Sequence, residues 1–217
     1  MNDLSKDQVF PRQPAAYTRT AISLHWAIAL LIFAAFPLGL YMHNLPLSPD
    51  KLKLFSYHKW IGITVLTLAV ARVAWRVNHR LPSLPTSMPR WERFSALAMH
   101  ILLYALILAV PLSGWLMSSA TGFQTVWFGV LPLPDLIGKD KELGHLLLEL
   151  HQTLNFLLIT LVGGHIAAAL KHHFVAHDQI LTRMVPFLRK SGPQFAVEKA
   201  RGESRAGSLR SPAQDNR

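Results

Sequence analysis

A chain of 217 residues with 51% hydrophobic and only 16% charged residues is too apolar for an ordinary soluble domain, and its apolar residues fall in long blocks. The 22 Lys+Arg against 12 Asp+Glu leave a net charge of +10, but these cations cluster in connections and tails, where membrane topology accounts for them without nucleic acid. The absence of cysteine excludes disulfides, thiolate metal ligands, iron–sulfur clusters and thioether-attached haem.

In chain order, residues 1–16 form a polar arm with Pro11 and Pro14. It reads as cytoplasmic rather than as a signal peptide, because no short apolar core with a small-x-small cleavage site follows. A first span is predicted over 20–41, uncharged throughout, with His25 and Trp26 early and Pro37 and Gly39 late. Residues 43–56 are rich in Pro, Ser and Asn and read as a loop. The second span, 56–77, starts at His58 and is the least apolar: Lys59, Arg72 and Arg76 must snorkel or pair at its ends. A Pro- and Arg-rich connection leads to a third span over 94–118, with His100 near its start and Pro111 inside. Residues 121–142, containing Trp127-Phe128-Gly129, suggest an interfacial short helix or turn. The fourth span, 145–170, is free of Asp, Glu, Lys and Arg from Leu150 on, between Glu149 and Lys171. Residues 17–189 thus form one four-span domain, and the mixed-charge tail 190–217 is expected to be a disordered cytoplasmic segment.

Orientation follows from the basic residues. Arg72, Arg76, Arg80, Arg90 and Arg93 border the second connection, and Lys171, Arg183, Arg189 and Lys190 follow the fourth span. The positive-inside rule places both on the cytoplasmic side, so the prediction is an all-α transmembrane four-helix bundle with both termini cytoplasmic.

That topology sorts the histidines by depth. His151 and His165 are fourteen residues apart, which on a helix brings them within roughly 40° of one face and separates them by about 21 Å. His25 shares the inner level with His165, and His58 shares the outer level with His151. Ionisable groups at membrane depth are costly and mark function. Two such pairs suit the axial positions of two haem b groups, with the iron closed to other ligands. Arg72 and Arg76 are candidates to pair with the inner propionates. Gly62, Gly163, Gly164 and Ala167 to Ala169 would let the spans approach closely. His43, eighteen residues from His25 and on the same face, rivals His58 but stands beside a loop. His100 is expected to hydrogen-bond within the bundle, and His79, His145 and His177 to lie in loops or at interfaces. His172, seven residues after His165, suits a quinone headgroup or proton exchange; with His173 it could equally anchor the helix at the interface as a cation.

Several segments together carry a resemblance: Ile22-Ser23-Leu24-His25-Trp26, Tyr57-His58-Lys59-Trp60-Ile61-Gly62, Val70-Ala71-Arg72-Val73-Ala74-Trp75-Arg76, Leu150-His151-Gln152-Thr153-Leu154 and His165-Ile166-Ala167-Ala168-Ala169-Leu170-Lys171-His172-His173. From about Tyr17 to Pro186 the chain resembles the bacterial cytochrome b561 family. The resemblance implies a multi-pass, di-haem protein of the bacterial inner membrane with His25, His58, His151 and His165 as iron ligands. It further implies electron transfer between a periplasmic donor, superoxide for some members, and ubiquinone of the quinone pool. Lys51, Lys53 and Lys59 could attract an anionic donor to the outer site. Two other readings remain at this point. One is the cytochrome b subunit of a larger dehydrogenase or hydrogenase. The other is a non-haem transporter, against which the spans carry no Asp or Glu for a proton relay apart from Glu149 near the start of the fourth.

Overall fold

The long apolar blocks become helices where a preceding side chain satisfies the first free amides. The computed structural model describes residues 17–79, 82, 88–177, 180–185 and 188. Helix α1, Arg19–His43, is capped by Thr18, whose side chain accepts from the Ala21 amide. Helix α2, Pro49–Asn78, is capped by Ser48, which accepts from the Lys51 amide, and has Pro49 in its first turn. Helix α3, Arg90–Thr121, follows Pro89. Helix α4, Lys141–Phe174, starts at Asp140, which accepts from the Leu143 amide. All four are long and apolar enough to cross a membrane.

These boundaries correct the sequence reading. The second helix begins at Pro49, not near 56, because the Ser, Pro and Asp taken as turn residues are a helix-start signature. His58 therefore lies in the third turn of α2 rather than at its start. Helix α3 spans four more residues at its beginning and three more at its end than predicted over 94–118. It stops at Gly122, whose φ of 78° lets its amide reach the carbonyls of Ser118 and Ser119. Helix α4 extends past Leu170 through Phe174, so His172 belongs to its last turn. Helical turns at the span ends project beyond the apolar stretch, where charged residues are no obstacle; charge-free windows therefore underestimate helix length.

The helices alternate in direction. At one end, the Trp75 indole on α2 donates to Thr18 Oγ1 before α1 (2.9 Å), Lys171 on α4 pairs with Glu92 on α3 (2.9 Å), and the Trp26 indole donates to the Met184 carbonyl (2.9 Å). At the other end Lys51 on α2 donates to the His43 carbonyl that closes α1 (3.3 Å). Close backbone packing joins α1 to α2, α2 to α3 and α3 to α4. The core between them is Ile28, Val65, Ala69, Leu106, Ile107, Val110 and Leu158. Large apolar side chains such as Leu30, Phe33, Ile101 and Phe156 are exposed around the bundle, as a hydrocarbon solvent requires.

The α3–α4 connection is neither a helix nor a simple turn. It forms a short antiparallel ladder of β1, Val126–Trp127, with β2, Leu131–Pro132. Left-handed Phe128 (φ 51°) and Gly129 (φ 72°) reverse the chain. The Trp60 indole on α2 donates to the Val126 carbonyl (2.6 Å), and the Trp127 indole to Thr64 Oγ1 (3.3 Å). Lys59 Nζ donates to Ser118 Oγ (3.2 Å) and to the carbonyls of Phe123 (3.1 Å) and Gln124 (3.3 Å). These bonds fasten the hairpin to residues 59–64 of α2.

A 3₁₀ turn, Leu181–Arg183, follows α4. The chain divides into two compact units, Met1–Met184 and Val185–Arg217; of the second only Val185 and Leu188 are described, the Leu188 amide donating to the Val185 carbonyl (3.1 Å). The predicted arm 1–16 and disordered tail 190–217 lie outside the described residues.

Gly122→Ala is expected to lower stability by about 1–2 kcal/mol, the cost of a left-handed residue with a Cβ. The added carbon would also stand 2.8 Å from Lys139 Cε. Gly138→Ala, whose Cβ would meet no atom within 4 Å, serves as the neutral comparison. Thermal unfolding in detergent should separate the two.

Candidate functional site

The histidines meet at the two ends of the bundle. His58 on α2 faces His151 on α4, with ring centroids 6.2 Å apart and planes at 86°. His25 on α1 faces His165 on α4 at 6.3 Å and 71°. Two imidazoles bound to opposite sides of one metal through nitrogens at about 2 Å have ring centres about 6 Å apart. Both separations match that value. Neither α1 with α4 nor α2 with α4 is among the closely packed helix neighbours. Between the two levels, Phe36 and Phe156 bridge α1 and α4 with centroids 5.8 Å apart.

Glycines make room for the outer rings. A Cβ on Gly39 would stand 3.2 Å from His58 Cε1, and one on Gly114 would stand 3.0 Å from His151 Cε1. The glycines named from sequence behave differently: a Cβ on Gly62 or Gly163 would meet nothing within 4 Å, and one on Gly164 would meet only Met99 Cε, at 3.5 Å. They line open space between helices rather than close helix contacts, which corrects the expectation that they bring spans together.

Hydrogen bonds fix one outer ring. His151 Nδ1 lies 3.0 Å from the Val110 carbonyl and 3.0 Å from Ser113 Oγ. A carbonyl can only accept, so Nδ1 carries the proton and Nε2 keeps the lone pair that a metal needs. His58 Nδ1 is buried and, among the described residues, has no hydrogen-bond partner. The Ala35 backbone acts on this ring from outside full hydrogen-bonding geometry. At the outer pair the ring spacing, the cleared space and the fixed tautomer of His151 fit an iron porphyrin; at the inner pair the ring spacing does.

The inner end is more crowded than expected. His100 Nδ1 bonds to the Ala96 carbonyl (2.6 Å), as a histidine hydrogen-bonded within the bundle should. Its ring, however, also packs edge-on against His165, at 5.3 Å and 82°. That spacing is about 1 Å short of what imidazoles on opposite sides of one metal require. The signal was present in the sequence: the alternation that placed His25 and His165 at the inner level puts the start of the third span there too.

Arg72 and Arg76 both lean on the Tyr104 ring, 5.7 and 5.1 Å from its centroid. Arg72 donates through Nε to the Tyr104 hydroxyl (3.0 Å) and through a terminal nitrogen to the Ala21 carbonyl (2.9 Å), one turn before His25. The arginines thus form a cationic cluster beside the inner pair.

The remaining candidates fall elsewhere. His43 ends α1, outside either pair. His79 stacks on Trp75 at 3.8 Å. His145 lines a cleft with Met117, Thr121 and Lys141 at the start of α4. His172 is half-buried in the last turn of α4. The outer lysines are engaged: Lys59 spends three donor contacts on the hairpin, Lys51 bonds the His43 and Leu45 carbonyls, and Lys53 pairs with Asp50 at 3.5 Å. Lys59 therefore acts first as a strap.

The profile of the family described as prokaryotic cytochrome b561 matches residues 16–187. The chain is 33% identical to cytochrome b561 homolog 2 of Escherichia coli K12 over 87% of its own length and 99% of that protein's. It is 30% identical to cytochrome b561 homolog 1 of the same organism, over 78% and 97% of the two chains. It is 26% identical to the probable superoxide oxidase CybB of Yersinia pestis, over 78% and 96%. With four membrane-spanning helices and imidazole pairs spaced for iron, the chain belongs to the prokaryotic cytochrome b561 family of b-type haem-binding, membrane electron-transfer proteins.

Proposed function

We propose that the protein holds two haem b groups, one near each face of the bacterial inner membrane, and passes electrons from a periplasmic donor to ubiquinone of the quinone pool. The observation that carries this reading is the pair of imidazole sites at opposite ends of one bundle, spaced 6.2 and 6.3 Å between ring centres. Haem, when bound, supplies reversible one-electron iron chemistry. His58 and His151 would hold the outer group and His25 and His165 the inner one, so that each would serve electron transfer rather than substrate binding. Arg72 and Arg76 pair with the inner propionates. Tyr104 keeps the two guanidiniums gathered for that task.

The orientation follows the basic residues: both termini and the Arg72–Arg76 end face the cytoplasm, and the hairpin faces the periplasm. Superoxide is the donor this reading favours, supported by the name of the Yersinia pestis relative. Each superoxide loses one electron and leaves as dioxygen. Two such electrons, with two protons, convert ubiquinone to ubiquinol. His172, at the cytoplasmic interface, hands a proton to the quinone oxygen. The cationic side chains of Lys51, Lys53 and Lys59 attract the anion by their field while their hydrogens stay bonded to the protein.

An oxidised and dithionite-reduced spectrum with haem per chain should give low-spin b-type bands and two haems. His151→Ala and His165→Ala should each remove a different one. A single haem in the unaltered chain would overturn the two-site reading.

In proteoliposomes, superoxide should reduce ubiquinone at a rate that falls as salt rises, because the attraction is screened over about 8–10 Å near physiological ionic strength. His172→Gln should slow quinone reduction while leaving reduction by dithionite intact. A rate insensitive to both salt and His172 would rule out these substrate assignments.

A further inference from the structure

The outer pair is built asymmetrically, and the asymmetry resides in one buried serine. Ser113 on α3 is 4% exposed. Its hydroxyl donates to the Val110 carbonyl at 2.8 Å, a common bond for a helical serine. That commits the hydroxyl proton and leaves the oxygen lone pairs facing His151 Nδ1, 3.0 Å away. The Nδ1 proton is therefore shared between two acceptor oxygens, Ser113 Oγ and the Val110 carbonyl. Gly114, the next residue, lies against the same ring: its missing Cβ would stand 3.0 Å from Cε1 and 3.3 Å from Nδ1. One turn of α3 thus supplies both the acceptors and the clearance for this imidazole.

No other member of the two pairs is held this way. His58 Nδ1 is buried with no bond in full hydrogen-bonding geometry among the described residues, and only the Ala35 backbone acts on its ring. Neither His25 nor His165 makes a ring hydrogen bond among the described residues, and their contacts are with other rings. An acceptor on the far nitrogen makes an imidazole a stronger electron donor and fixes its tautomer, and second-sphere hydrogen bonding is one of the levers that sets a haem potential.

We propose that Ser113 is a positioning residue which, with the Val110 carbonyl, strengthens electron donation by His151 and so holds the outer site at a lower reduction potential than it would otherwise have. This inference rests on the reading of His58 and His151 as a haem-holding pair. Removing Ser113 Oγ removes one of two acceptors and favours the reduced state.

The test is a potentiometric titration of the purified full chain, followed by its b-type absorption bands, for the unaltered protein, Ser113→Ala and Ser113→Thr. The outer titration is identified as the one lost in His151→Ala. In Ser113→Ala the reduced-to-oxidised ratio of the outer site at fixed potential should rise about fivefold, the worth of one hydrogen bond. At about 59 mV per tenfold for one electron this is about 40 mV. The inner titration should not move, and Ser113→Thr, which keeps the hydroxyl, should restore the original value. Two haems with an unmoved outer potential in Ser113→Ala would overturn the role of Ser113 alone. Equal shifts at both sites, or no rescue by threonine, would also overturn it in favour of general loosening. Absence of haem, or retention of both haems in His151→Ala, would overturn the paired-imidazole reading itself and Ser113 with it.

Discussion

Two imidazoles can bind opposite sides of one metal only when their ring centres stand about 6 Å apart, and helices that carry such rings must not collapse onto each other. The bundle meets this constraint through the order of its contacts. Helix α3 packs closely on both α2 and α4, while α4 stands off from α1 and α2, the helices whose histidines it meets. The apolar core of Ile28, Val65, Ala69, Leu106, Ile107, Val110 and Leu158 fixes the middle of the bundle. At the ends, aromatic and cationic groups tie helix to helix instead: Trp60 and Lys59 to the hairpin, Trp75 to the start of α1, Lys171 to Glu92. Such polar fastenings at both rims hold helices at fixed separations without filling the spaces between them.

The same constraint explains which parts of the site could be read from sequence. Fourteen residues between His151 and His165 fix face and depth through helix geometry alone, and the distribution of arginine fixes which other histidine shares each depth. Four spans and two imidazole pairs therefore follow from spacing and charge. What surrounds the rings does not. Ser113, Gly39 and Gly114 act through contacts between helices far apart in sequence, so no local pattern marks them as the residues that hold or clear the outer rings. The start of α2 was hidden for another reason. Ser48, Pro49 and Asp50 favour both a turn and a helix N-terminus, and only the hydrogen bond from the Lys51 amide to Ser48 decides between them.

Lys59 shows how tertiary structure reassigns a residue whose chemistry was read correctly. A lysine one position after an outer histidine is well placed to draw in an anion. In the folded chain its ammonium instead holds the carbonyls of Phe123 and Gln124, the first of which also accepts from the Ser118 hydroxyl. The two roles are compatible because charge acts at a distance whereas hydrogen bonds act at contact. A long-range field survives the bonding of all three hydrogens; direct contact with a substrate does not.

On the proposed reading, the unequal surroundings of the two pairs also give the electron a direction. At the hairpin end His151 has two oxygen acceptors on its far nitrogen, which enriches the ligand and favours the oxidised state. At the other end neither His25 nor His165 has such an acceptor among the described residues. Arg72, bonded to a carbonyl one turn from His25, brings positive charge that favours the reduced state. Ligand enrichment outside and arginine charge inside both favour electron movement from the hairpin end to the arginine end, and the Lys59 charge beside His58 opposes them. The propionates offset part of the arginine charge but leave the ligand difference untouched. The directional bias is therefore rooted in α3, the helix that contributes no ligand and touches both ends: Val110, Ser113 and Gly114 surround His151, and Tyr104 and His100 order the arginines and His165.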